Sequence, residues 1–111
     1  MQETYIEQIL NELTLEEKIG MIHGARLFRT EGVERLSIPP LYMSDGPMGV
    51  RAEFADNEWR NVGTTEDYVT YLPCNSAIAS TWNRALAKKA GEVLGEESRG
   101  RGKDVILAPG I

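Results

Sequence analysis

Apolar and polar positions recur with a helical period at the start of the chain. Tyr5, Ile6, Ile9, Leu10 and Leu13 fall on one side of a helix and Gln2, Glu3, Glu7, Gln8 and Glu12 on the other, which predicts an amphipathic helix with one buried face. Thr14 then offers a hydroxyl N-cap with Glu17 three residues on, the capping-box arrangement, and Leu15, Ile19 and Ile22 continue the spacing. A second short helix is expected from about residue 15 to residue 22, stopping near Gly24.

The pattern then changes. Residues 25–40 mix charges with Gly32, Pro39 and Pro40, and paired prolines bias the backbone before them toward extended forms, so this stretch reads as a loop entering a strand. Leu41, Tyr42 and Met43 supply a short apolar strand that ends at Ser44-Asp45-Gly46-Pro47, where glycine and proline demand a change of direction. Glu53 to Tyr71, polar with scattered aromatics, reads as a long irregular loop.

Asn83 caps the clearest helix, with Leu86, Ala90, Val93 and Leu94 as its buried stripe, Glu97 and Arg101 as an exposed pair, and Gly100 or Gly102 closing it. Gly91 and Gly95 each cost about 1 kcal/mol relative to alanine inside a helix, which points to another element packed close against that side. Val105, Ile106 and Leu107 form a second apolar, buried strand that ends at Pro109 and Gly110.

Strand, helix-bearing connection and apolar strand make a βαβ unit, whose strands lie parallel and need cover on both faces. Two such strands leave backbone donors and acceptors without partners. The expected fold class is therefore α/β, the opening part of something larger.

Composition narrows the function classes. The 111 residues are 41% hydrophobic and 26% charged, ordinary for a globular chain. A formal charge of -5 excludes a phosphate backbone as the natural partner, so no nucleic acid is expected. One cysteine and one histidine cannot assemble a zinc site or an internal disulfide, and no metal or cofactor is expected. No stretch has the length or apolarity of a bilayer span and the first residues do not resemble a leader, so no membrane partner and a cytoplasmic location are the expectations.

Four ordered blocks carry a resemblance. Leu13-Thr14-Leu15-Glu16-Glu17-Lys18-Ile19-Gly20 resembles the opening of β-glucosidases of glycoside hydrolase family 3. Ile38-Pro39-Pro40-Leu41 followed by Ser44-Asp45-Gly46-Pro47-Met48-Gly49-Val50-Arg51 is similar to the family's more specific IPPL and SDGPxGVR blocks. Ser76 to Asn83, and Gly95-Glu96-Glu97-Ser98-Arg99 leading to Asp104 to Gly110, follow in the family's order.

The resemblance implies a (β/α)8 TIM-like barrel with its pocket at the C-terminal strand ends, followed by an α/β sandwich domain. Residues 1–111 would be the incomplete opening of that barrel, with its first two strands. The family's nucleophile, an aspartate in a later SDW block, its acid/base and a Lys-His pair that grips the sugar have no match here. The implied parent is a retaining glycosidase acting on β-glucosides, or on β-xylosides of the same family, and the isolated chain is expected to be inactive. No catalytic residue is expected within it. The N-acetylglucosaminidase branch fits less well, because its Asp-Gln-Glu-Gly-Gly run is missing. Phosphorolysis, oligomeric state and a non-catalytic sugar-binding or assembly module stay open.

Two residues are substrate-binding candidates. Asp45 falls just beyond the end of the first strand, where barrel enzymes place substrate-handling groups, and an ionised carboxylate accepts charge-assisted bonds from sugar hydroxyls. In the family, the matching aspartate holds hydroxyls of the sugar in the glycone subsite. Taken alone, Asp-Gly-Pro would read only as a turn. Arg51 matches the arginine of the same block and either touches substrate or orients carboxylates, with structural ion pairing as the competing account. His23 reads as a helix-end residue and Cys74 as a small buried hydrophobe. Trp59 and Tyr68 are exposed-loop aromatics able to stack on sugar or to anchor the loop, while Asp67 and Asp104 match no binding position. Arg99, Arg101 and Lys103 follow a helix C-terminus, which favours cations and disfavours bound anions, so they read as a solvated face.

Overall fold

Thr14 closes a capping box: its Oγ1 accepts the Glu17 N–H at 3.2 Å, and Glu17 Oε2 accepts the Thr14 N–H at 2.8 Å. That local chemistry separates α1 (Gln2–Glu12) from α2 (Leu15–Met21) in the computed structural model, which describes residues 2–52, 55, 58 and 68–110. There follow β1 (Gly24–Arg26), β2 (Arg29–Thr30), a 3-10 turn (Glu34–Leu36), β3 (Met43–Asp45), α3 (Asn75–Ser80), α4 (Arg84–Gly100) and β4 (Val105–Leu107). The chain divides into two units, Met1–Leu41 and Tyr42–Ile111. Most of the expected loop from residue 53 to residue 71 lies outside the described residues, as do Trp59 and Asp67.

In the first unit both predicted helices form, but the apolar face of α1 is not buried. Tyr5 is 63% exposed, Ile6 56% and Leu10 48%, and only Leu13, just past the helix, is buried. The expected buried face is therefore corrected to a stripe exposed at Tyr5, Ile6 and Leu10, half-buried at Ile9 and buried only at Leu13. Helix α2 is tied to the 3-10 turn by Arg35, which donates from Nε and Nη2 to the Glu17 carboxylate at 2.7 and 2.5 Å and from Nη2 to the Glu12 carbonyl at 2.8 Å.

The stretch expected to be a loop contains an antiparallel pair, β1 with β2, in which Gly24 faces Thr30 and the register shifts before Arg26 meets Arg29. Buried Thr30 extends the arrangement to Leu41, donating its N–H to the Leu41 carbonyl and accepting the Leu41 N–H on Oγ1, both at 3.1 Å. Backbone and hydroxyl groups do this work, so no period-2 hydrophobic pattern announces it. Gly32 lies under the Ile38-Pro39-Pro40 backbone, where a Cβ would come within 2.6 Å of the Ile38 carbonyl.

The second unit contains the expected parallel pair. Strands β3 and β4 align Met43 with Val105, Ser44 with Ile106 and Asp45 with Leu107. The first strand sits two residues later than expected, because Thr30 takes both backbone groups of Leu41. The ladder begins instead at Tyr42, whose carbonyl accepts the Asp104 and Val105 N–H groups at 2.8 and 3.1 Å and whose own N–H donates to Asp104 Oδ2 at 2.9 Å.

Helix α4 begins as predicted, with Asn83 Oδ1 accepting the N–H groups of Ala85 and Leu86 at 3.1 Å each. Leu94 joins Val50 and Leu72 in a buried cluster, with Ala90, Val93 and Ala108 packed against it. Burying such side chains stabilises by about 1.5–3 kcal/mol each. Two burial expectations fail here. Leu86 and the outward residues of β4, Val105 and Leu107, are exposed, and among the described residues Cβ atoms built on Gly91 and Gly95 would meet nothing of another element within 4 Å. A parallel pair needs a covering layer on each face, and the described residues supply only one.

Candidate functional site

Asp45 is the last residue of β3, at the C-terminal end of the parallel pair. The chain leaves it through a turn that only glycine can make easily. Gly46 has φ +117°, and a Cβ there would lie 2.0 Å from the Gly49 carbonyl oxygen. Gly49 has φ +151°, and a Cβ there would lie 2.7 Å from the Thr70 carbonyl oxygen. The Gly49 N–H donates to the Gly46 carbonyl at 3.1 Å, and the Arg51 N–H returns to the Asp45 carbonyl at 3.3 Å. Val50 anchors the turn in the core at 1% exposure. Two candidates that the sequence separates by five residues are thereby brought together.

Arg51 Nε lies 2.6 Å from Asp45 Oδ1. The approach is not along the N–H direction, so it is an ion pair rather than an aligned hydrogen bond. Oδ1 is buried while the side chain as a whole is half exposed, so Oδ2 carries the exposure. One oxygen thus faces the guanidinium and the other faces outward. Arg51 also donates from Nη1 to the Ala52 carbonyl at 2.9 Å. Such a carboxylate can accept hydrogen bonds from hydroxyls with its direction set in advance. It cannot by itself perform a double displacement, which needs two carboxyl groups about 5 Å apart.

A strap of residues 68–72 backs this turn. Leu72 is buried and donates its N–H to the Met48 carbonyl at 2.7 Å. Thr70 gives its N–H to both Glu97 carboxylate oxygens at 3.1 Å and its hydroxyl to Oε1 at 2.6 Å. Arg101 donates from Nη2 to the Tyr68 carbonyl at 2.7 Å and from Nη1 to the Glu97 carbonyl at 3.4 Å. Glu97 and Arg101 thus hold the strap, where the sequence reading had them as a surface pair with each other. Nothing in the local pattern of α4 signals this, because the partners lie 27 and 33 residues away.

The remaining singled-out residues lie elsewhere. Exposed His23 donates from Nδ1 to the Gly24 carbonyl at 2.9 Å. Cys74 is exposed at the N-cap of α3 rather than buried, and its thiol pKa is lowered by the Ser76 hydroxyl at 3.3 Å and the Ala77 backbone. The buried-hydrophobe expectation fails because a short helix begins there. Arg99 Nη1 lies 3.7 Å from Asp104 Oδ1. Tyr68 is exposed. Between α3, α4 and β4 runs an apolar groove of about 670 Å³, lined by Ile78, Ala87, Gly91, Leu94 and Ile106 among others. Among the described residues, those that line it carry no titratable side chain.

Comparison with known proteins gives a consistent picture. No family model matches the chain. It is 45% identical over 109 residues to Beta-glucosidase BoGH3A of Bacteroides ovatus, covering 98% of this chain and 15% of that protein. It is 36% identical over 105 residues to Thermostable beta-glucosidase B of Acetivibrio thermocellus, covering 95% of this chain and 14% of that one. Among solved structures, β-glucosidase from Kluyveromyces marxianus in complex with glucose superimposes with a TM-score of 0.76 at 34% identity, covering 94% and 12% of the two chains. β-Glucosidase 3B from Thermotoga neapolitana in complex with α-D-glucose gives a TM-score of 0.77 at 34% identity, covering 95% and 16%. The chain therefore spans well under a fifth of the length of the relatives it matches.

Proposed function

On sequence and fold the chain belongs with the β-glucosidases of glycoside hydrolase family 3 along the segment it spans, and on that premise we propose that it forms part of a retaining glycosidase acting on terminal β-glucosides. Its β3 and β4 are then the first two strands of a (β/α)8 barrel, and residues 1–111 a portion of that barrel domain. The half-covered parallel pair and the open apolar groove support this reading, since both are surfaces that an α/β barrel closes.

Within such a barrel Asp45 forms one wall of the glycone subsite. Its outward Oδ2 accepts hydrogen bonds from hydroxyls of the terminal sugar while Arg51 holds Oδ1. Holding the sugar ring fixed lets a nucleophile and an acid/base, contributed by chain outside these residues, act on the anomeric carbon and the leaving oxygen. The relatives carry the β-glucosidase name, which favours glucosides over β-xylosides as substrate.

The observation that carries the proposal is the Asp45–Arg51 pair at the C-terminal end of a parallel strand. The test is to assay aryl β-glycosides with the protein as expressed from its gene, and with the 111 residues alone. Hydrolysis of β-glucosides by the former and none by the latter is expected. Silence of the former toward every common aryl β-glycoside would overturn the proposal.

A further inference from the structure

Glu97 belongs to a sequence block that the proposed function leaves without a role, and its carboxylate is spent in an unusual place. A glutamate in the last turns of a helix more often points into solvent or pairs with a lysine or arginine on its own helix. Here both carboxylate oxygens are taken by Thr70, through one N–H at 3.1 Å to each and a hydroxyl at 2.6 Å. Three charge-assisted contacts to one residue of a non-helical segment fix that residue more firmly than a hydrophobic contact, which has no direction.

What Thr70 touches gives the clamp its meaning. Its carbonyl lies over Gly49, close enough that a Cβ on Gly49 would meet it at 2.7 Å. Two residues on, the Leu72 N–H bonds to the Met48 carbonyl at 2.7 Å. The strap thus closes the outside of the turn from residue 46 to residue 51, whose two ends are Asp45 and Arg51. We infer that Glu97, acting through Thr70, is a positioning residue for the Asp45–Arg51 pair. This rests on the proposed reading of Asp45 as a hydroxyl-binding carboxylate.

The physical cause is preorganisation. A turn with two glycines at positive φ is soft unless its neighbours restrain it, and Arg51 reaches Oδ1 only while the turn stays closed. If the strap lifts, Asp45 keeps its place in β3 but loses the guanidinium that aims it. A misplacement of about 1 Å is enough to cost a large part of the rate. Thr70 is exposed, so water can replace the carboxylate, and the fold tolerates its loss.

The experiment uses the protein as expressed from its gene, with an aryl β-glucoside and its monodeoxy analogues. One deoxy analogue lacks the hydroxyl held by Asp45, and is identified as the one least affected by Asp45→Ala. Glu97→Ala is expected to lower kcat/KM for the glucoside about tenfold and for that analogue less than about twofold, the size of one lost charge-assisted contact. Glu97→Gln, which can still accept from the Thr70 N–H and donate to its hydroxyl, is expected to recover to within about threefold. Exchange of the Arg51 amide hydrogen should rise about tenfold in Glu97→Ala, since that N–H closes the turn. Equal loss on both substrates, or unchanged Arg51 exchange, would overturn the inference. Should the wild type lack β-glucosidase activity, the proposed function fails, and the exchange measurement alone then decides whether the clamp holds the turn.

Discussion

Arg51 Nε sits 2.6 Å from Asp45 Oδ1, across a turn of five residues that begins at the end of a parallel strand. The arginine is only 16% exposed while the aspartate is half exposed. The cation is thus the buried support and the carboxylate the outward-facing group. Of the accounts the sequence left open for Arg51, an ion pair with Asp45 is consistent with both orienting that carboxylate and purely structural pairing.

On the orienting account, Arg51→Ala should lower kcat/KM for aryl β-glucosides by about 10–100-fold, the size of a lost contact to a charged group. Arg51→Lys should recover little, because a point charge cannot reproduce the planar guanidinium. Steady-state kinetics of both variants check this, and an Arg51→Ala enzyme with wild-type kinetics would contradict it.

Gly49→Ala should destabilise the second unit. The φ of +151° strains any L side chain, and the new Cβ would lie 2.7 Å from backbone at Thr70. A loss of about 1–3 kcal/mol is expected from strain alone. Thermal or urea unfolding measures it, and an unchanged midpoint would contradict the placement of the strap over the turn. Gly95→Ala serves as the control, since among the described residues nothing outside its own helical turn lies within 4 Å of the added methyl.

The first unit should carry an acid-sensitive tie. The Arg35 guanidinium and the Thr14 backbone lower the Glu17 pKa from 4.5 to about 2. A carboxylate whose pKa falls on folding adds stability that is full above its unfolded pKa and lost as pH drops through the folded one. Stability should therefore decline between about pH 4.5 and pH 2, and Glu17→Gln should flatten that part of the profile. Acid titration followed by hydrogen exchange of the α2 amides tests this, and an unaltered profile in the variant would contradict it.

What the sequence disclosed was whatever local chemistry determines. The Thr14–Glu17 box and the Asn83 cap are short-range bonds between residues two or three apart, and both helix starts were legible. The parallel pair and the placing of Asp45 at a strand end were legible from apolar runs and the glycine turn. The β1–β2 pair was not, because it depends on Thr30 bonding to Leu41 rather than on a hydrophobic pattern. Burial of α1, Leu86 and β4 was overestimated, since periodicity tells which face wants cover and not whether cover is present. The Glu97–Thr70 clamp was invisible for a third reason: a carboxylate on a helix gives no sign of a partner 27 residues away.

Asp45→Asn is the most direct measurement of the central claim, that this carboxylate holds sugar hydroxyls at the rim of a parallel strand pair. The change keeps the shape and removes the charge, so the turn should survive while charge-assisted acceptance is lost. In the protein as expressed from its gene, kcat/KM for an aryl β-glucoside should fall about 100-fold or more, with secondary structure by circular dichroism unchanged. Wild-type kcat/KM in a folded Asp45→Asn protein would contradict the account.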